Sequence, residues 1–176
     1  MSKSKGNAVD PFDALEKYGA DAIRWYFYIN SAPWLPNRFH GKAVQEGQRK
    51  FMGTLWNTYA FFVLYANIDN FDATKYTLEY DKLPVMDKWI LSKLNSVIRE
   101  VCDNMDNYEL GVAAGKIYDF IWDSYCDWYI ELTKPRLNGE DEESKIAAQK
   151  VLLYVLTEIL KLVHPFMPFI SEEIWQ

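Results

Sequence analysis

Cysteine, histidine and glycine are scarce in this sequence of 176 residues, with two Cys, two His and eight Gly. His40 and His164 lie far apart with no thiol or carboxylate at ligand spacing, so both read as structural and no metal site is expected. Cys102 and Cys126 stand alone, without the CxxC spacing of a redox or zinc motif, as a reducing compartment tolerates. The first seven residues are small and basic and Asp10 and Pro11 follow at once, so a secretory signal is not expected. Nor does any run reach the roughly 18 to 20 uninterrupted apolar residues of a membrane-spanning helix. The richest stretch, FMGTLWNTYAFFVLYANI from Phe51, is broken by Gly53, Thr54, Asn57 and Thr58. A cytoplasmic protein without a membrane partner is therefore expected. Basic excess is lacking too: the net charge is −6, with nine Lys and Arg against eight Asp and Glu in residues 1–80, or +1, and ten against seventeen in the rest, or −7. That balance argues against indiscriminate phosphate binding and leaves room for a local basic face.

What the chain has in quantity is aromatic and apolar surface: seven Trp, twelve Tyr and ten Phe, with 49% hydrophobic residues, which requires a folded core. Its periodicity is helical throughout. DPFDALEKYG carries Asp10 as N-cap, Pro11 at the first helical position, Asp13 three residues after the cap and Gly19 as a stop; ADAIRWYFYIN follows as a second short helix. SAPWLPNRFHG is a loop, and its Trp34 and Phe39 imply that it is pinned to a surface. A long helix from Lys42 to about Ala66 places Phe51, Leu55, Tyr59, Phe62 and Ala66 on one stripe. Three more follow, from Met86 to about Asn107, from Leu110 to Lys134 with Pro135 closing it, and from Glu142 to Val163. In the third, Ile117, Phe120, Ile121, Trp128, Tyr129 and Leu132 are expected on the inner face. HPFMPFISEEIWQ begins another helix that leaves Ile174 and Trp175 apolar at the end of the chain, so the bundle is expected to be truncated there. The expected fold is all-α: a helical bundle over residues 41–176 with an arm formed by residues 1–40.

The opening MSKSKGN reads on its own as a solvated tail. In register with DPFDALEKYGADAIRWY, however, it resembles class I aminoacyl-tRNA synthetases of the isoleucine, valine and leucine group, whose signature loop reads Lys-Met-Ser-Lys-Ser. Met1, Ser2, Lys3 and Ser4 match its last four positions, and the first lysine would stand before Met1. SAPWLPNRF and RKFMGTLWNTYAFFVLYANIDNFD are similar to the isoleucyl enzymes. NYELGVAAGKIYDFIWDSYCDWYIELTKPRL and LLYVLTEILKLVHPFMPFISEEIW resemble the valyl enzymes instead, so the likeness changes over near DKWILSKLNSVI. A divergent member and a joining of two related genes are both compatible with that change, and both isoleucine and valine identities stay open.

The resemblance implies a division of labour. Residues 1–40 would be the end of a catalytic core with its signature loop, and residues 41–176 an anticodon-binding bundle. Met1, Ser2, Lys3 and Ser4 would bind ATP, accompanied by Mg2+ in the intact enzyme, with Lys3 as the catalytic ammonium that steadies charge building on departing pyrophosphate. The partners would be tRNA(Ile) or tRNA(Val) and the catalytic and editing domains of the same polypeptide. No alternating strand and helix pattern is present, so the nucleotide-binding domain is not here and the chain is expected to be inactive alone. Lys93, Arg99, Lys134 and Arg136 are the candidate tRNA contacts; a solvated face or an internal ion pair is the other reading of each. The alternative to a synthetase segment is a free-standing helical module that binds RNA or protein without catalysis.

Overall fold

In the computed structural model, which describes residues 9–32 and 34–176, every regular element among the described residues is helical. The arm begins with α1 (Pro11–Tyr18), where the Asp10 carboxylate accepts from the Phe12 N–H at 2.8 Å and Pro11 occupies a position whose N–H would be unpaired anyway. Gly19, at φ 78, turns the chain into α2 (Ala20–Asn30) through a backbone conformation that costs a residue with a Cβ more. The following loop is pinned as its aromatics imply: the Tyr26 hydroxyl donates to the Arg38 carbonyl and accepts from the His40 N–H, and Phe39 packs on the rings of Tyr18, Tyr26 and Phe27. Trp34 does not join this contact and is exposed.

The long helix is built from α3 (Gly41–Gly47), a wider π-type stretch (Gln48–Met52) and α4 (Gly53–Ile68). Phe51, Leu55 and Phe62 of the expected stripe are buried, with Tyr59 and Ala66 partly so. Asn70, at φ 49, ends it in a left-handed cap with the Phe71 N–H donating to the Ala66 carbonyl at 2.8 Å. A polar connection with two single 3-10 turns (Ala73–Lys75 and Tyr80–Lys82) leads to α5 (Val85–Asp106). Tyr108 repeats the left-handed cap at φ 61, and α6 (Leu110–Asp119) returns antiparallel beside α5.

The third long helix departs from the expected pattern in two ways. Between α6 and α7 (Glu131–Leu137), residues Phe120–Ile130 form a second π-type stretch. Its hydrogen bonds span five residues rather than four, and the buried row through it, Ile117, Ile121, Tyr125, Tyr129 and Thr133, keeps a steady spacing of four instead of the α-helical mixture of three and four. The wider turn carries Trp128 and Leu132 off the inner stripe, leaving them 63% and 40% exposed. Pro135 does not close the helix either. It sits inside the last turn of α7, where little helix remains to be disrupted, and the helix continues to Leu137. Asp141 then caps α8 (Glu142–Val163) by accepting from the Ser144 N–H at 3.1 Å, and α9 (Pro168–Trp175) follows a tight corner.

Two apolar clusters result. The larger runs through α4 to α9 around Leu55, Ile90, Leu94, Ile121, Leu152 and Ile159; the smaller joins Ala14, Tyr18, Ala22 and Tyr26 of the arm to Val44. Trp25 bridges the arm to the larger one, stacked on Phe51 at a centroid distance of 4.2 Å and edge-on to Phe166 at 6.1 Å. The arm therefore packs at the end of the bundle where α5 finishes and α6 and α9 begin.

The thiols sit in contrasting places. Cys102 is exposed, whereas Cys126 is pushed up from the usual thiol range by burial, only partly offset by its contact with the Thr58 hydroxyl at 3.4 Å. At mildly alkaline pH Cys126 therefore holds less thiolate than a free thiol. Iodoacetamide labelling followed by peptide mass mapping is expected to modify Cys102 first.

Candidate nucleic-acid interface

The end of the bundle opposite the arm is organised by a charge on an otherwise apolar face. Asp87 precedes Ile90, Leu91 and Leu94 at helical spacing, so the periodicity that buries those residues also buries its carboxylate, which has no exposed surface. Such a group needs partners, and it has three bonds. Arg136 meets it with both ends of its fork, Nη1 to Oδ1 at 2.7 Å and Nη2 to Oδ2 at 3.0 Å, and the Tyr129 hydroxyl donates to Oδ1 at 2.8 Å. Burial and the adjacent carboxylate push the Tyr129 phenol far above its ordinary range, so it stays a donor. Arg136 also donates from Nε to the Ser144 hydroxyl at 3.0 Å and from Nη2 to the Ser144 carbonyl at 2.9 Å. The guanidinium thereby ties the start of α5, the end of α7 and the start of α8 into one knot.

Beside this knot, the connection before α5 and the start of α8 enclose an open groove of about 530 Å³, bordered by Tyr76, by Lys75, Lys82 and Lys150, and by the carboxylates of Glu79, Asp141 and Glu143. Leu78, Leu83 and Ile146 contribute apolar surface to it. Tyr76 lies flat on Phe71, with ring centroids 5.9 Å apart and planes within 6°, and remains 37% exposed. The neighbouring Tyr80 ring is half open and carries the Lys88 ammonium 5.6 Å from its centroid. Lys75 pairs with Asp72 at 3.3 Å and Lys82 with Glu79 at 2.7 Å, with most of each lysine side chain in solvent. Desolvation at the groove wall holds the Lys150 ammonium below its usual range. An exposed ring with ammonium groups around it can stack an unpaired base and meet its phosphates.

The residues expected from sequence are not gathered into one patch. Lys134 and Arg136 share the knot's end of the bundle but are engaged internally, Lys134 with Glu131 at 2.5 Å and Arg136 with Asp87. The bidentate, nearly buried guanidinium of Arg136 is a structural link in this chain rather than an open cation. Lys93 and Arg99 are exposed on α5, six residues apart, hence about 9 Å along the axis and on different sides of the helix. Met1, Ser2, Lys3 and Ser4 lie outside the described residues. Sequence reasoning missed Asp87, Tyr76, Lys75, Lys82 and Lys150; only Asp87 carried a usable signal, a carboxylate in phase with a run of buried aliphatics. Among the described residues no cluster of potential metal ligands exists, and no helix is long and apolar enough to cross a membrane.

Comparison with known proteins gives the same arrangement a context. Residues 87–176 match the model described as the anticodon-binding domain of tRNA ligase, and residues 1–35 match tRNA synthetases class I (I, L, M and V). The isoleucine–tRNA ligase of Clostridium novyi is 51% identical over 177 residues, covering 100% of this chain and 17% of the relative. The valine–tRNA ligase of Bacillus cereus is 47% identical over 176 residues, covering 100% of this chain and 20% of the relative. The chain thus spans between a sixth and a fifth of the length of these curated relatives. Among solved structures, Agrobacterium radiobacter K84 agnB2 LeuRS in a ternary complex with tRNA and LeuAMS superposes with a TM-score of 0.77 at 20% identity, covering 99% of this chain and 20% of that one. Free methionyl-tRNA synthetase from Mycobacterium tuberculosis gives 0.76 at 16% identity, covering 94% and 34%. At those identities the likeness is one of fold.

Proposed function

Because this chain belongs to the class I aminoacyl-tRNA synthetases of the isoleucine and valine type, through the anticodon-binding domain matched over residues 87–176, we propose that its bundle holds the anticodon arm of tRNA(Ile) or tRNA(Val). The observation that carries the proposal is the groove beside the Asp87–Arg136 knot, where an open Tyr76 ring and three lysines meet at the end of the bundle away from the arm. Tyr76 supplies the stacking plane, Lys75, Lys82 and Lys150 the phosphate contacts, and Lys134 borders the same end. Lys93 and Arg99 extend positive charge along α5. Arg136 acts by holding α5, α7 and α8 in place.

In this reading residues 1–40 carry the ATP-facing loop and residues 41–176 the tRNA-binding unit. Met1, Ser2, Lys3 and Ser4 contact ATP, with Mg2+, in an intact cytoplasmic ligase, and Lys3 supplies the charge that steadies the leaving pyrophosphate. The isoleucyl-like first half and valyl-like second half leave both tRNAs as substrates for direct comparison.

Filter binding with tRNA(Ile) and tRNA(Val) transcripts and their anticodon-substituted versions, at fixed salt, tests the proposal. One set is expected to bind at least about tenfold more tightly with its own anticodon, and Tyr76→Ala is expected to weaken that binding about tenfold or more, the value of one stacked base. Lys93→Ala and Arg99→Ala should each lower the slope of log affinity against log salt by about one, if each meets one phosphate. Equal binding of all transcripts would remove the anticodon-reading role.

A further inference from the structure

The joint between arm and bundle is polar as well as aromatic, and its two charges are arranged with opposite sign against two helix ends. Asp21, 4% exposed on α2, accepts from the Ile170 N–H at 2.7 Å and from the Phe169 N–H at 3.3 Å. These are free N–H groups of the first turn of α9, whose own N-cap residue, Met167, offers no side-chain acceptor. A residue nearly 150 positions earlier in the chain therefore caps that helix. One turn along α2, Arg24 donates from Nε to the Phe166 carbonyl at 3.0 Å and from Nη2 to the Pro165 carbonyl at 2.8 Å, in the corner just after α8. The carboxylate thus faces the positive end of α9 and the guanidinium lies by the negative end of α8, each the favourable sign. Arg24 is further held over the Tyr28 ring at 5.6 Å, and the edge of Tyr28 meets Phe166 at 5.3 Å.

We infer that Asp21 and Arg24 are positioning residues, a two-pronged clamp on the α8–α9 corner that fastens the arm to the bundle in one orientation. Apolar contact through Trp25 and Val44 brings the surfaces together; Gln48 Nε2 donates to the Tyr18 carbonyl at 3.1 Å, and the four directed hydrogen bonds from α2 to backbone groups fix its angle to the α8–α9 corner. Its role rests on the tRNA-binding reading: RNA held by the bundle is kept in register with whatever the residues ahead of α1 contact, so the clamp acts on turnover rather than on tRNA affinity.

Hydrogen exchange on the full 176-residue chain tests the fastening without any RNA. Asp21→Ala and Arg24→Met are expected to speed exchange of residues 11–30 about tenfold while α5 and α8 keep their protection, and Asp21→Asn, which retains an acceptor, should restore most of it. Unchanged exchange in the arm, or equal acceleration through α5 and α8, overturns the clamp. The role is tested with residues 1–176 grafted into an intact isoleucyl- or valyl-type synthetase. There Asp21→Ala is expected to lower kcat for tRNA charging about tenfold with KM for tRNA within about twofold, and Asp21→Asn to recover kcat. An altered KM with kcat untouched overturns the positioning role. Failure of the unsubstituted chain to bind tRNA would instead defeat the anticodon reading, while the exchange data would still decide the clamp.

Discussion

Arg136→Met is expected to destabilise the chain by about 3–5 kcal/mol, because it strips the fork from a carboxylate that stays buried without its counter-charge. Asp87 has no exposed surface, and of its partners only the Tyr129 hydroxyl would remain. Urea unfolding followed by circular dichroism measures the loss. Arg136→Lys should recover little of it, since a single ammonium cannot reproduce two parallel bonds to Asp87 and two more to Ser144. Replacing the network together, with Asp87→Leu, Tyr129→Phe and Arg136→Met, should recover most of it, because the loss comes from an orphaned charge rather than from missing attraction. A stability unchanged by Arg136→Met would mean that the guanidinium is free for another use.

Trp25→Ala should cost a similar amount, about 3–5 kcal/mol, as large-to-small changes of a buried indole do. Trp25 is 3% exposed and lies between Phe51 of the long helix and Phe166 of the α8–α9 corner. Its loss is expected to be uneven: limited proteolysis should cut within residues 9–40 of the variant well before α5 or α8, since the bundle's other buried residues remain. Trp25→Phe, which keeps a ring against Phe51, should retain most of the stability. Cleavage spread evenly along the variant would show that arm and bundle unfold as one unit.

The fold was legible wherever local rules sufficed. Asp10, Pro11 and Gly19 delimit α1 by chemistry confined to ten residues, and α8 begins and ends where its apolar period does. Misreadings cluster where the helix itself changes pitch: the alternating threes and fours of an α-helix put Trp128 and Leu132 on the inner stripe, whereas burial through Phe120–Ile130 holds a steady spacing of four at Ile121, Tyr125 and Tyr129. Pro135 likewise lies within a terminal turn whose neighbour Arg136 is anchored from other helices. The candidate interface was least visible. Lys75, Tyr76, Lys82 and Lys150 are brought to one groove by folding, across a gap in sequence that no periodicity spans. Lys134 has its partner Glu131 three residues away on the same exposed helix face, a local spacing, but the partner of Arg136, Asp87 at a separation of 49 residues, was not legible.

The equal lengths of α5 and α8, 22 residues each, have a consequence for recognition. Two straight helices of about 33 Å set a fixed span between the groove and the corner that bears the arm. In the proposed tRNA-binding reading, a large folded RNA seated in the groove is presented to that corner at a fixed distance, whereas a short oligonucleotide occupies the groove alone. The bundle would thus act on such an RNA as a spacer, setting where its far end lies without adding to the strength with which it is held.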